Sequence, residues 1–192
     1  MKQIIRLVCI VLASATMLVA CGKDKDNTPS YKMVFNGQTS TEFPYAAARI
    51  ATFDGNQCII FEANPVQPND PALMQQTNKL TPGFKVVVVG TTEGTYESTR
   101  TDDGNHFLLG GVRNLESFQG QALISQNVLY GDWWGKNAKV TITKFDRENG
   151  LASFTASGDM FNAVEAILQG RGVAGSQQGT MTITVENMPI VQ

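Results

Sequence analysis

Polar and apolar residues alternate along several short segments of the chain. The clearest is TMTITVE at residues 180–186, where Met181, Ile183 and Val185 would share one face of an extended strand and threonines the other. Residues 138–145, AKVTITKF, alternate in the same way. Because successive side chains of a strand point to opposite faces of its sheet, a period of two indicates half-buried antiparallel strands.

Turn-forming residues separate these segments. NG at residues 36–37 follows the alternating residues 31–35, and DGN at residues 54–56 separates residues 45–53 from residues 57–63. Asn-Gly and Asp-Gly pairs are the usual residues of tight β-hairpin turns. The pattern therefore predicts hairpins at both places.

Two segments have helical features. Residues 70–78 begin with Asp-Pro, a favoured start for a helix, and end before Thr-Pro-Gly. Residues 161–169 place apolar residues at helical spacing, but a strand is equally consistent with them. Residues 84–90, FKVVVVG, form a continuous apolar run, which is consistent with a strand buried on both faces. We therefore predict an all-β fold, an antiparallel sandwich or a partly open barrel, with one or two short helices.

The first 20 residues have the layout of a secretory signal. Lys2 and Arg6 precede LVCIVLASATMLVA, an apolar run too short to cross a bilayer as a helix. The run ends in LVACG, which resembles a bacterial lipobox. The resemblance implies cleavage between Ala20 and Cys21 and diacylglycerol on the Cys21 sulfur; several acyl chains anchor a protein stably. The alternative is an ordinary secretory signal with a coincidental cysteine.

Residues 21–30 contain almost no apolar side chain, which predicts a flexible tether ahead of a single β-rich domain at residues 31–192. The charged KDKD at residues 23–26 resembles the signals of Bacteroidetes-type surface lipoproteins. That resemblance implies a lipid-anchored protein of the cell outer membrane that is exposed at the surface. A solvated spacer in the periplasm is the alternative reading.

The strand pattern carries a second resemblance. AKVTITKFDRENG at residues 138–150, ASFTASGDMFN at residues 152–162 and GTMTITVENMPI at residues 179–190 resemble uncharacterised lipid-anchored β-domain lipoproteins of the Bacteroidetes type. The resemblance implies a β-fold more than a function, and it brings no catalytic residues with it.

Charge narrows the possible partners. Removing Lys2 and Arg6 with the signal leaves 13 basic residues against 17 acidic ones, a net charge of −4 on 172 residues. A nucleic-acid-binding protein needs a basic face to displace counterions from phosphates. We therefore expect no nucleic-acid partner, and one domain is usual for this length.

The sequence favours neither a metal site nor a cofactor. With Cys9 removed in the signal and Cys21 lipidated, Cys58 and His106 are the remaining cysteine and histidine, too few for a zinc site of such ligands. Cys58 lies in an apolar run that predicts burial. Residues 101–105, TDDGN, could offer oxygen ligands to calcium, but their spacing is not that of an EF-hand and such residues form turns.

Catalytic signals are also weak. His106 is the one possible imidazole base, and no Gly-x-Ser-x-Gly elbow accompanies it. A pair of carboxylates for glycoside hydrolysis would depend on separation in space, which sequence does not give.

The segment YGDWWG at residues 130–135 is the best candidate for a binding surface. If it is extended, Trp133 and Trp134 point to opposite faces, so both cannot enter one core. An exposed Trp beside Tyr130 could stack on a sugar ring or anchor a protein; alternatively, one Trp fills the core and the other covers its end.

These observations favour a lipid-anchored, non-catalytic binding or interaction module whose partner is a glycan or another envelope protein. The alternatives are a calycin-like carrier of a small apolar ligand, which needs an interior cavity of several hundred Å³, and a hydrolase, which needs a cleft with perturbed titratable groups.

Overall fold

The computed structural model describes residues 27–53, 55–65, 67, 83–100, 118–120, 122–127 and 133–191. Within these ranges the chain forms twelve strands, paired antiparallel, and two short helical turns. The strands are β1 Ser30–Phe35, β2 Gln38–Ser40, β3 Tyr45–Phe53, β4 Asn56–Asn64, β5 Gly83–Val89, β6 Gly94–Arg100, β7 Phe118–Gly120, β8 Ala122–Asn127, β9 Trp133–Gly135, β10 Asn137–Asp146, β11 Leu151–Asn162 and β12 Gln178–Pro189. The helical turns are α1 Val164–Leu168, which is π-helical, and α2 Gly172–Gly175.

The strands form two facing layers, so the predicted all-β fold is confirmed in the form of an antiparallel sandwich. The first layer has the order β2-β1-β12-β11-β10-β6-β7, and the second has the order β3-β4-β5-β8. Strand β9 joins them, because it pairs with β11 on one side and with β8 on the other. Strands β9 and β10 both run beside β11 and are separated by Lys136, so the hydrogen-bonded path branches at that residue.

Aromatic rings fill the space between the layers. The ring centroids of Phe61 on β4 and Phe154 on β11 are 4.2 Å apart, and those of Phe84 on β5 and Phe154 are 6.2 Å apart. Phe43 adds an edge contact to Phe84 at 5.5 Å. Phe61, Phe84 and Phe154 have at most 1% of their surface exposed. Since buried aromatic side chains contribute large apolar areas, these rings hold the two layers together.

Strand β12 lies in the interior of the first layer, between β1 and β11. Met181, Ile183 and Val185 are buried, whereas the threonines between them are exposed. The predicted alternation is confirmed along this strand. It is also confirmed on β10, where Val140 and Ile142 are buried.

The predicted turns are present where the structure describes them. Asn36 and Gly37 both have positive φ, 50° and 81°, as the tight turn between β1 and β2 requires. Gly55, with φ 78°, lies in the β3–β4 hairpin. Cys58 on β4 is fully buried, as its apolar neighbours predict.

Both readings of residues 161–169 are correct for part of the segment. Phe161 and Asn162 end strand β11, and the chain then turns into α1. The predicted helix at residues 70–78 lies outside the described residues.

The register of the first layer gives the sandwich two distinct ends. Ser30 pairs opposite Glu186, and Leu151, after the β10–β11 turn, pairs opposite Pro189. We call this the proximal end, because the chain enters β1 there. The distal end carries the Asn36–Gly37 turn, Lys136 and the α1–α2 segment, residues 163–177.

The end of the chain also ties the layers together. The Val191 N–H donates to the Ala48 carbonyl on β3 at 2.8 Å, and the Ile190 N–H donates to the Gly150 carbonyl at 2.8 Å. The last residues of the first layer therefore contact an edge strand of the second.

Truncating Phe154 tests the role of the aromatic contacts. We expect Phe154→Ala to lower the free energy of unfolding by about 3–5 kcal/mol, because the layers cannot close over the lost ring. Thr155→Val, on the exposed face of the same strand, should change it by less than about 0.5 kcal/mol. Urea denaturation of both variants measures the difference; equal losses would show that the rings do not hold the layers.

The β10–β11 turn makes a prediction about pH. The side-chain amide and the backbone N–H of Asn149 donate to the Asp146 carboxylate at 2.7 and 3.0 Å, and these bonds hold the pKa of Asp146 below its ordinary value. A lowered folded-state pKa stabilises the native turn above the ordinary aspartate pKa of about 4, and the stabilisation is lost as pH falls through the folded-state value. We expect Asn149→Ala to raise the Asp146 pKa in an NMR titration. An unchanged pKa would mean that Asn149 is not the cause.

Candidate functional site

The outward face of β6, β10, β11 and β12 carries a shallow groove of about 440 Å³. Its floor includes the buried residues Ser98, Ala138 and Met181. Its rim is polar, because the alternate residues of all four strands point outward. The rim includes Glu97, Asn137, Lys139, Ser157, Asp159 and Thr182.

Asn137 and Asp159 form a rigid pair in this groove. The Asn137 amide donates to Asp159 Oδ2 at 2.8 Å, and the Asp159 backbone N–H donates to Asn137 Oδ1 at 2.8 Å. The Lys136 backbone N–H donates to the Asp159 carbonyl at 2.7 Å. The second carboxylate oxygen, Asp159 Oδ1, has no hydrogen-bond partner among the described residues. It is therefore held in place as a free acceptor.

A second hollow of about 440 Å³ adjoins the groove toward the distal end and shares Asp159 and Thr180 with it. Here Asn36 spans from the β1–β2 turn to β12. Its Oδ1 accepts from the Thr180 N–H at 2.9 Å, and its own N–H donates to the Thr180 carbonyl at 3.0 Å. Only a glycine fits beside it, because a Cβ on Gly179 would overlap the Asn36 amide. The Asn36 Nδ2 group makes no bond within the described residues.

The charged groups of the two hollows balance. Lys139 and Glu97 form an exposed ion pair at 2.6 Å across β10 and β6. Lys136 and Asp159 supply one further positive and one further negative charge. Exposed pairs of this kind add little stability. Together these four groups leave the lining of the two hollows with no net charge.

Hydroxyl groups continue the groove across the strands. Ser157 on β11 pairs with Thr182 on β12, and both are exposed. Neither hydroxyl makes a hydrogen bond within the described part of the chain. Thr95 and Thr141, one row closer to the proximal end, bond to each other at 3.1 Å instead. The free hydroxyls of Ser157 and Thr182 therefore remain available to a ligand.

The two tryptophans lie on opposite faces, as their adjacent positions predict. Trp133 has 9% of its surface exposed and meets Phe35 edge to face, with ring centroids 5.2 Å apart, inside the sandwich. Trp134 is half-buried on the outer face, where it packs against a small apolar cluster that includes Phe161 and Val173. Trp133 is thus a core residue, while Trp134 lies at the surface of the first layer.

Trp134 continues the face that carries the groove. Phe161 pairs with Trp134 on one side and with Gln178 on the other, two residues beyond the Asp159–Thr180 pair. Residues two apart on a strand are about 6.8 Å apart on the same face. Phe161 and Trp134 therefore lie beyond the distal end of the groove and form an aromatic end of this face of the first layer.

The α1–α2 segment bounds this aromatic end. Its Ala163 and Ala166 form a buried cluster with Phe161, and Trp134 and Val173 pack against that cluster. Glu165 links α1 to the later part of the segment. Its carboxylate accepts from the Gln177 N–H at 2.8 Å and pairs with Arg171 at 3.4 Å.

The other residues singled out by sequence lie outside the described residues: Cys21, residues 101–105, His106 and Tyr130. Within the described ranges, no group of three or more His, Cys, Asp or Glu side chains could hold a metal ion. The same ranges contain no helix long and apolar enough to cross a membrane.

Sequence reasoning identified Trp134 but missed the polar groove beside it. Asn137 and Asp159 are 22 positions apart, and Asn36 and Thr180 are 144 positions apart. Their meeting depends on strand register. The available signal was the row of polar residues on the outward faces of residues 138–145 and 180–186, which a solvated face explains equally well.

Comparisons with protein-family models, curated proteins and solved structures find no match for this chain.

Gly179 gives a direct test of how the site is built. We expect Gly179→Ala to displace the Asn36 amide and lower the free energy of unfolding by about 1–2 kcal/mol, because hydrogen bonds are lost and the neighbour must move. Gly175→Ala is the control, since its Cβ would meet Arg171 at an ordinary 3.5 Å. Denaturation compares the two. Equal stability of both variants would mean that Asn36 does not brace the site.

Proposed function

We propose that this protein is a lipid-anchored protein of the outer membrane that acts as a non-catalytic binding module. In this proposal its partner occupies the groove on β6, β10, β11 and β12. The observation that carries the proposal is a set of groove groups that make no hydrogen bond within the described residues: Asp159 Oδ1, whose carboxylate Asn137 holds in place, and the exposed hydroxyls of Ser157 and Thr182. Groups held in position without an internal partner can bind a ligand at little conformational cost.

The position of the groove fits an anchor at the other end of the domain. The tether predicted at residues 21–30 enters β1 at the proximal end, at Ser30. Asn36, beside the second hollow, follows β1, whose six residues span about 17 Å. An anchor on Cys21 would therefore leave the distal hollow directed away from the point where the tether joins the domain.

The packing of the core bears on the carrier alternative. A calycin-like carrier needs an apolar cavity between its layers. Phe61, Phe84 and Phe154 occupy the centre of this sandwich and contact one another across it. The described hollows lie on the outside of the sandwich and have polar rims. This arrangement favours a surface-binding module over a carrier.

The groove also favours recognition over hydrolysis. Its Lys139 and Glu97 are exposed and neutralise each other, and Asp159 is bound by Asn137. A reacting carboxylate or amine is usually desolvated and close to a second catalytic group. The solvent-exposed Lys139–Glu97 and Asn137–Asp159 pairs are better suited to hydrogen bonding with a ligand than to catalysis.

The anchor is tested by Cys21→Ser. We expect mass spectrometry of the full chain to lose the acyl mass and the protein to move from the membrane pellet to the soluble fraction. Cys58→Ala, which removes the buried cysteine, should keep the lipid and remain in the pellet. A Cys21→Ser protein that keeps its acyl mass would show that the lipid is elsewhere.

The groove is tested by binding. The full chain, purified in a detergent without sugar groups, is immobilised and exposed to protein and polysaccharide fractions of its own cell envelope. We expect one fraction to bind, and Asp159→Asn with Thr182→Val together to weaken that binding by about tenfold or more. Thr184→Val, on the same face of β12 but outside the groove, should bind as the unchanged protein does. Binding that the double variant retains would place the site elsewhere.

A further inference from the structure

We infer that the ligand of this groove is a neutral carbohydrate chain, which hydrogen-bonds along the polar rows and stacks one sugar ring on Trp134. The inference rests on the proposed function and adds to it the chemical class of the ligand. It joins three observations on one face of the first layer: the balanced charge, the mixture of donors and acceptors, and the aromatic end.

The charge balance argues for a neutral ligand. Lys139 and Lys136 face Glu97 and Asp159 within the two hollows, so neither a polyanion nor a polycation meets a matching field. Complementary charge is what steers a charged polymer to its site. A neutral chain meets no repulsion here.

The hydrogen-bonding groups match hydroxyls. A sugar hydroxyl both donates and accepts, so it needs groups of both kinds close together. Asp159 Oδ1 is a fixed acceptor, and the Asn36 and Asn137 amide groups are fixed donors. The hydroxyls of Thr180 and Thr182 can act either way. A carboxylate next to an amide donor can therefore bind neighbouring hydroxyls of one ring.

The length of the site fits a chain rather than a single sugar. Along β12 the rim runs from Gln178 to Thr182, about 14 Å at 3.4 Å per residue. The two hollows share Asp159 and Thr180, so a ligand can lie in both without crossing a barrier.

Trp134 gives the distal end an apolar ring surface. The ring is half-buried in the cluster with Phe161, so it is held rigidly while part of it stays accessible. Aromatic rings bind the apolar C–H face of a sugar by stacking, which complements the polar contacts of Asp159. Trp134, just beyond the polar groove, is thus suited to stack on one sugar ring at the end of a bound chain or at a bend in it.

The described surface is less suited to a protein partner. The large hydrophobic side chains that are exposed within the described residues are Tyr45 and Val191, at 44% and 45%. Tyr45 begins β3 in the second layer, and Val191 contacts the same strand at Ala48. Protein interfaces usually have an apolar, aromatic-rich centre. No aromatic side chain lines either of the two described hollows.

The test is a titration of the full chain, in a detergent without sugar groups, against immobilised oligosaccharides. The panel contains neutral hexasaccharides of glucose, xylose and mannose, with oligogalacturonate and heparin fragments as anionic members. We expect binding to at least one neutral member and weaker or no binding to the anionic ones. Preference for the anionic members, or no binding to any member, would overturn the inference.

Single substitutions show which residues contact the sugar. Asp159→Asn should weaken binding by about tenfold, because a charged acceptor is replaced by a neutral group that both donates and accepts. Trp134→Leu keeps an apolar side chain in the cluster and should weaken binding by about fivefold or more, since the stacking surface is lost. Thr184→Val should leave binding unchanged. Circular dichroism checks that each variant is folded. Binding to a neutral sugar that survives both substitutions would overturn the assignment to this groove.

Treating the envelope extract separates the inference from the proposed function. Periodate destroys vicinal diols of sugars, and protease destroys proteins. We expect groove-dependent binding to the extract to survive protease and to be lost after periodate. If binding is lost after protease and survives periodate, the protein is a binding module with a protein partner, and the inference of a carbohydrate ligand is overturned. An extract that shows no groove-dependent binding at all would overturn both.

Discussion

Phe154 on β11 contacts Phe61 and Phe84 of the second layer, and the way the two layers meet is set by this contact. It fixes one layer against the other, so the inward positions of β10, β11 and β12 are committed to the core. Their outward positions then follow from the period of two. The sheet therefore presents these polar side chains in rows on its outer face. The groove lies among these outward positions, which do not take part in the core.

The structure uses its outer face in two ways. Nearer the proximal end, the hydroxyls of Thr95 and Thr141 bond to each other. Toward the distal end, the side chains of Asp159 and Asn36 each make one hydrogen bond and keep further hydrogen-bonding groups that no described residue uses. These groups lie away from Ser30, where β1 begins, and Trp134 lies beyond them on the same face.

Much of the fold could be predicted from sequence because it depends on local patterns. The alternation of residues 180–186 predicted the inward and outward faces of β12, and Asn-Gly at residues 36–37 predicted a tight turn. Residues 161–169 could not be assigned, because Phe161 is apolar yet lies on the outer face, in a cluster that forms only when the α1–α2 segment folds over it.

The site could be predicted only in part. Adjacent positions were enough to separate the faces of Trp133 and Trp134. The Asn137–Asp159 pair depends on the register between β10 and β11, and Lys136 interrupts the strand just before Asn137. Register is set by the whole core, since a slip by one residue would exchange the two faces. Such pairs come from packing and not from a motif.

NMR titration of the full chain with a neutral hexasaccharide would show whether a sugar occupies this groove. We expect the side-chain amide signals of Asn36 and Asn137 and the indole signal of Trp134 to shift together with one affinity, while signals of β3 stay in place. Shifts at Tyr45 and along β3, with those three signals unmoved, would contradict it.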